Sequence, residues 1–553
     1  MKSTIRPGLI LTALATVALL GGLGLAKGGL YMNWYEGDVL HLLEIVVRIA
    51  EGQRPHIDFM TPIGVLAVWP IAVFVQAGLG LGMAILAAQI AVALVLVPGV
   101  LRAAHSRFEG GMAHLFIVLM LVLPLALVHG GTDANISLSM HYNRWAWAFS
   151  LVALTLAFLP PRGVARPGLD GALIGALFAV VVLIKVTYVV ALAPAVIAAL
   201  LMRGAGRDLL IAVAAGIVTL VIATLFLGLG FWPAYVADLL TTAHSEVRGY
   251  PGLPLNEMIT APLLLGAHLL ALFAVMLLRQ GRQKSAGLGL LILFPAFVYI
   301  TFQNFGNDPQ WVLWLGLVLF AVRPEAGVRN GWGWDVRAAL GMVAVGMLVA
   351  GSASFFNLAY SPLRHASLDT TGYAQMFPRA TRHNDIFFPT EAVHGVRLTL
   401  GGQSRFDVFA TVSDPADPDD VRKPTVLSGE TIEACGVQAG MVAWFDQTAR
   451  TLEAEGYADG AQIMVADLLS NLPLFSDRLS FVTGGAPWRY DGLPGIETAD
   501  YVLVPICAVI PRVRQMIVQQ LQDRGVPLRE VFRNDMFILL ENGAQMPALA
   551  SIR

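Results

Sequence analysis

Apolar runs separated by short polar breaks fill roughly the first two thirds of the chain. A helix needs about 20 apolar residues to cross a hydrocarbon layer about 30 Å thick, and somewhat fewer when it is buried among other helices. Eleven such runs are read near 8–30, 80–101, 112–129, 146–160, 169–185, 187–202, 208–230, 258–278, 286–302, 310–322 and 338–358. Residues 62–77 are also apolar, but Pro70 interrupts them, and an unbroken helix of that length would reach only about 24 Å. This run is expected to lie along the interface or to re-enter. Past Tyr360 the pattern changes to short apolar strands alternating with helices. A helix is predicted over 436–456, buried strands over 461–469 and 501–509, a helix over 512–524 and a closing strand over 536–541. Continuous apolar strands between helices predict a small α/β sheet covered on both faces.

The expected fold is therefore a polytopic α-helical membrane protein of about 11 spans with a C-terminal soluble α/β domain. The transmembrane domain is placed at 1–358, with outer juxtamembrane helices at 37–51 and 62–77, and the soluble domain at 359–553.

Composition sharpens this picture. Of the 553 residues, 56% are hydrophobic and 13% charged, about half the charge of an ordinary soluble domain, which excludes a purely soluble protein. Residues 1–358 hold 15 of the 38 acids and 20 of the 36 basic residues, so neither part is basic enough for nucleic acid. The basic residues also fix an orientation, because cytoplasmic loops collect Lys and Arg. If 62–77 does not cross, 14 of those 20 fall on the inner side; if it does, only five do. The first arrangement is adopted: an inside N-terminus, and a C-terminal domain outside. The N-terminal stretch is read as a retained span, because it lacks a small-x-small cleavage site.

With this topology the polar residues of the membrane part gather on the outer side. In the loop from Tyr31 to Phe59, Asp38, His41, Glu44, Arg48 and Glu51 recur at helical spacing, giving a polar stripe on an otherwise apolar helix expected to lie flat at the interface. Its plain reading is the wet face of that helix. Gly52 and Pro55 end it, and Asp58 follows. A second loop brings His141, Tyr142, Asn143 and Arg144 to the start of a span, and Lys185 sits in a four-residue turn at or near membrane depth. Such a lysine either snorkels or serves a site. Further outer loops bring His244, Glu246, Arg248 and Tyr250, and then Gln303, Asn304, Asn307 and Asp308. Their convergence suggests an outward polar cavity roofed by the C-terminal domain.

That domain carries no recognisable catalytic spacing. Thr483-Gly484-Gly485 is too short to define a phosphate loop, and Asp414, Asp417, Asp419 and Asp420 read as a solvated, proline-broken loop. Cys435 and Cys507, the two cysteines, either pair in an oxidising compartment or remain thiols, Cys507 falling within a predicted strand.

The stretch YEGDVLHLLEIVVRIAEGQRPHIDFMTPIG, residues 35–64, resembles the first outer loop of bacterial GT-C glycosyltransferases, the multi-span enzymes that use polyprenyl-phosphate sugars, including aminoarabinose- and mannosyl-transferase types. Many of these begin a juxtamembrane helix with Asp-Glu-Gly and continue with Gly-x-x-Pro-x-x-Asp-Phe, like Gly52, Pro55, Asp58 and Phe59 here, and with a Pro-rich apolar helix like that from Pro62. Tyr35 replaces the leading Asp, Glu36 stands where the second acid belongs, and Asp38 is an extra carboxylate. The resemblance implies a glycosyltransferase of the bacterial inner membrane, moving a sugar from a polyprenyl-phosphate donor to an envelope glycan or lipid acceptor at the outer face of the bilayer. Glu36 or Asp38 would deprotonate the acceptor. Arg144, Lys185 or Arg248 would hold the phosphate, with Asp58, His141, Tyr142, Asn304 and Asp308 lining the pocket. Cationic side chains or a divalent cation would stabilise the departing phosphate. Two alternatives are a transporter or flippase of a lipid-linked intermediate, with charges spread through span interiors, and a non-catalytic envelope assembly protein.

Overall fold

The structure, a computed structural model, describes residues 5–163, 166–247, 255–304, 309–380, 382–399, 410–414 and 423–543. It is a polytopic α-helical membrane protein whose C-terminal part folds into small sheets with flanking helices. The first helix, α1 (Pro7–Leu25), is followed by β1 (Leu30–Tyr31), the helix α2 (Glu36–Ala50), and a 3-10 turn leading into α3 (Trp69–Gln76). The bundle continues with α4 (Leu81–Arg107), α5 (Gly110–Leu125), α6 (His141–Phe158), α7 (Pro167–Met202), α8 (Gly206–Leu227), α9 (Phe231–Ala243), α10 (Leu255–Thr260), α11 (Pro262–Gln280), α12 (Lys284–Gln303), α13 (Trp311–Ala321) and α14 (Val336–Ser367). Seven of these are long and apolar enough to cross a membrane by themselves. The eleven apolar runs of the sequence fall on ten described helices, because two of the runs share α7.

α7 is a helical hairpin. A straight helix of its 36 residues would be about 54 Å long, yet Arg107, whose neighbour in an ion pair is Asp170 near the start of α7, and Arg203, at its end, both donate to the carbonyl of Leu156. The chain reverses at Lys185, whose φ of −159° and ψ of 97° are extended rather than helical. Within the run at 62–77, α3 has eight residues, about 12 Å of helix, too short to span a hydrocarbon layer by itself. Gly64, just before the 3-10 turn, packs on this hairpin so closely that a Cβ would stand 2.2 Å from the Leu183 carbonyl oxygen.

The C-terminal part, here the roof, contains β2 (Tyr373–Gln375), β3 (Ile386–Pro389), α15 (Thr390–His394), β4 (Gly395–Thr399), β5 (Ala410–Asp414), β6 (Thr425–Leu427), β7 (Glu430–Ile432), β8 (Cys435–Ala439), α16 (Met441–Ala454), β9 (Ile463–Val465), β10 (Tyr501–Pro505), β11 (Cys507–Ala508), α17 (Pro511–Asp523), β12 (Leu528–Arg533) and β13 (Phe537–Asn542). One mixed sheet has the order β12-β13-β10-β9 and a second the order β11-β8-β4-β5, where a single sheet was expected. The first is covered on both faces, as its continuous apolar strands require. Val502, Val504 and Ile538 pack with Ile517 and Leu521 of α17, while Leu503 and Leu539 share the other core with Phe445 and Leu452 of α16.

Three expectations for the roof are corrected. Residues 435–439 are a strand, because they pair with both β4 and β11, and the helix starts only after Gly440. Gly440 has φ +84°, and any Cβ there would lie 2.0 Å from the Gly395 carbonyl oxygen. The run 501–509 breaks at Ile506 into strands of different sheets. Within 461–469 only Ile463–Val465 is strand. Of the acid cluster, Asp414 closes β5, and Asp417, Asp419 and Asp420 lie outside the described residues.

The roof and the bundle are joined by backbone. β1 pairs in parallel with β3, and Gly484 N–H donates to the Asp58 carbonyl at 2.8 Å while Met60 N–H donates to that of Gly485 at 2.9 Å. Cys435 and Cys507 form a disulfide, since the parallel pairing of β11 with β8 sets them opposite each other.

Candidate functional site

α2 is buried, and its polar stripe is not a wet face. Its apolar residues are buried, and of the stripe His41, Glu44 and Arg48 are buried as well, while Glu51 stays exposed. Glu44 accepts from Arg48 Nε at 2.8 Å and from Asn471. The Arg48 guanidinium also donates to the Val482 carbonyl at 3.2 Å and stands 4.5 Å from the Phe481 ring centre. His41 lies 5.3 Å from the Trp488 ring, and burial lowers its pKa to about 3, so it is neutral. From His41 to Arg48 the stripe thus joins bundle and roof.

Its first turn is different. A cavity of about 950 Å³ opens between the N-terminal end of α2 and the roof. Trp34, Tyr35, Glu36, Gly37 and Asp38 form the bundle wall; Glu391, His394, Arg397, Met441, Trp488 and Ile510 belong to the roof wall. Tyr35, with φ +58°, is a non-glycine residue in left-handed backbone, a conformation that concentrates at functional sites. It turns the chain into α2 and leaves Trp34 and Tyr35 46% and 43% exposed.

The two acids of this wall are held differently. Glu36 accepts from Met441 N–H at 2.7 Å and Gly440 N–H at 3.3 Å, so both carboxylate oxygens sit on the N-terminus of α16, where N–H groups lack helical partners. Burial raises its pKa, and these backbone donors pull it back. Asp38 accepts a hydrogen bond from the Ser139 hydroxyl. Ser139 lies immediately before Met140, whose φ of +53° starts α6.

The other residues singled out in the sequence occupy three environments. Asp58 is outside the cavity wall: its carboxylate accepts from Arg54 N–H at 2.7 Å and pairs with the Arg54 guanidinium, closing its own exposed loop. His141 and Arg144 are buried. His141 Nε2 lies 2.8 Å from the Ala67 carbonyl, and Arg144 donates to the carbonyls of Ala126 and His129 at 3.1 and 3.3 Å. Lys185 donates to Asn143 Oδ1 at 2.9 Å and Asn304 Oδ1 at 2.5 Å, with the Tyr142 ring 5.4 Å away. This network ties the hairpin tip to the ends of α6 and α12, and Ser139 connects it along the chain to Asp38. Arg248, Asn307 and Asp308 lie outside the described residues.

The roof wall was missed by sequence reasoning. Trp34 adjoins the Glu-Gly-Asp turn and was within reach of it, but Glu391, His394 and Arg397 carry no local signal. Asp467, behind the wall, accepts from the N–H groups of Leu468 and Ile510 at 2.7 and 3.1 Å, and burial pushes its carboxyl up to about 6.

No family model and no curated protein matches the chain. Among solved structures, a single-particle cryo-EM structure of the arabinofuranosyltransferase AftD from Mycobacteria is similar at 13% identity and a TM-score of 0.37, covering 98% of this chain and 40% of that one. The chain thus spans well under half the length of that neighbour, and a likeness of this size transfers neither a residue nor an activity.

Proposed function

We propose that the chain is a GT-C-like glycosyltransferase of a bacterial inner membrane, moving a sugar from a polyprenyl-phosphate donor to an envelope glycan or lipid acceptor, with the roof on the outer side. The observation that carries this reading is the cavity between bundle and roof with Asp38 on its wall. The motif at residues 35–64 supports it, as does a disulfide in the roof, which suits an oxidising compartment.

Asp38 is assigned as the base. The acceptor hydroxyl passes its proton to a carboxylate oxygen of Asp38 as its oxygen bonds to the anomeric carbon. The bond from that carbon to the phosphate oxygen breaks, and the electron pair leaves with the polyprenyl phosphate. Ser139 orients Asp38. Glu36, with both oxygens on the N-terminus of α16, is assigned to docking. Exposed rings at Trp34 and Tyr35 suit stacking on sugar faces. Neutralisation of the leaving phosphate is assigned to cationic side chains, Arg397 of the cavity wall among them.

The test is transfer from labelled polyprenyl-phosphate sugars by the reconstituted full chain. Asp38→Asn should lower kcat about 10²- to 10⁴-fold without changing thermal stability. Absence of transfer from every member of a broad donor panel, or full activity in Asp38→Asn, overturns the assignment.

A further inference from the structure

At the end of the bundle away from the roof, α6, α7, α12 and α13 enclose a second cavity of about 300 Å³. Its walls divide by chemistry. Phe158 and Met202 give an apolar floor, while Arg203, Arg323, Gln283 and Ser285 give a polar rim. Both arginines are half-buried. Each uses part of its guanidinium on backbone: Arg203 donates to the Leu156 carbonyl at 3.0 Å, and Arg323 Nε to that of Phe320 at 3.2 Å. Two acids act on Arg203 through space, Asp208 first and Asp170 second; Asp170 is bridged by Arg102 and Arg107 at 2.6 and 2.7 Å. Among the described residues neither Arg203 nor Arg323 forms an ion pair with a carboxylate. Two guanidiniums therefore converge on one concavity with donors to spare.

We propose that this cavity binds a phosphate group, and that the phosphate is that of an anionic phospholipid headgroup. The guanidinium fork matches phosphate oxygens bidentately. The site lies at the ends of apolar helices, where headgroups meet a bundle, and basic pockets between such helices suit anionic headgroups. The cavity holds the volume of about ten waters, more than a bare phosphate requires, and its apolar floor fits the glycerol and first methylenes that follow. This inference is independent of the glycosyltransferase reading, since the site lies at the opposite end from Asp38.

The test is native mass spectrometry of the full chain in detergent, with phosphatidylglycerol, phosphatidylcholine, glycerol 3-phosphate and inorganic phosphate as separate probes. Retention of one phosphatidylglycerol in preference to phosphatidylcholine is expected, reduced about tenfold or more in Arg323→Gln. Arg329→Gln, an exposed arginine outside the cavity, should retain it. Ser285→Glu, at an exposed rim position, adds repulsion without removing a structural bond and should also lose it, which covers the case of Arg323→Gln failing to fold. Equal retention by wild type and both cavity variants overturns the site. Binding of inorganic phosphate or glycerol 3-phosphate without retention of phosphatidylglycerol overturns the lipid as its source.

Discussion

Glu36→Gln separates docking from chemistry. In the folded chain the Glu36 carboxylate takes two backbone N–H groups at the start of α16, at 2.7 and 3.3 Å. Glutamine keeps one acceptor oxygen and turns an amide toward the second donor, so one charge-assisted bond is lost, about 1.5–3 kcal/mol. The favourable contact of a negative charge with a helix N-terminus goes as well, about 0.3–1 kcal/mol. Against this, the burial that raises the Glu36 pKa no longer penalises a charge, which offsets part of the loss. A net destabilisation of about 1–3 kcal/mol is expected, felt where roof meets bundle. Hydrogen exchange of the full chain should show faster exchange at Gly440 and Met441 with the interior of β10 and β13 unchanged. Turnover should fall less than about tenfold. A Glu36→Gln variant with unchanged exchange and transfer reduced about a hundredfold or more would refute the reasoning, and would make Glu36 the base.

Other predictions follow from the same contacts. Replacing Cys435 and Cys507 by Ser, or reducing the bond, removes a cross-link between residues 72 apart, worth about 4 kcal/mol in unfolded-chain entropy; thermal scans with and without reductant should differ in wild type and coincide in the variant. For Asp467, the folded carboxyl titrates at about 6 and the unfolded one at about 3.9. The folded chain thus binds more protons between those values, so its contribution to stability falls as pH rises from about 4 to about 6 and is flat above. Asp467→Asn should remove that slope, read as the difference in Tm against wild type across the range. Lys185→Met leaves two amide oxygens at the hairpin tip without their donor and should cost about 2–4 kcal/mol; an unchanged Tm in detergent would show that the tip is held by packing alone.

Much of the architecture follows from sequence. Apolar runs of membrane length determine the bundle, since a backbone in hydrocarbon must satisfy its hydrogen bonds within a helix. The short turn at Lys185 marked the reversal inside α7, and the acidic turn from Glu36 to Asp38 marked the bundle side of the cavity. These features are local: period, length and turn chemistry are written in neighbouring residues. What tertiary structure alone decided is non-local. Whether the stripe from His41 to Arg48 meets water or protein depends on Asn471 and Val482, more than 400 residues away along the chain. The strand at 435–439 exists because β4 and β11 come to either side of it, which no property of those five residues dictates. Glu36 and Asp38 are equivalent in sequence, each a carboxylate in the first turn of one helix. They become different groups only when the N-terminus of α16 reaches one and Ser139 the other, because a carboxylate's role is set by what donates to it.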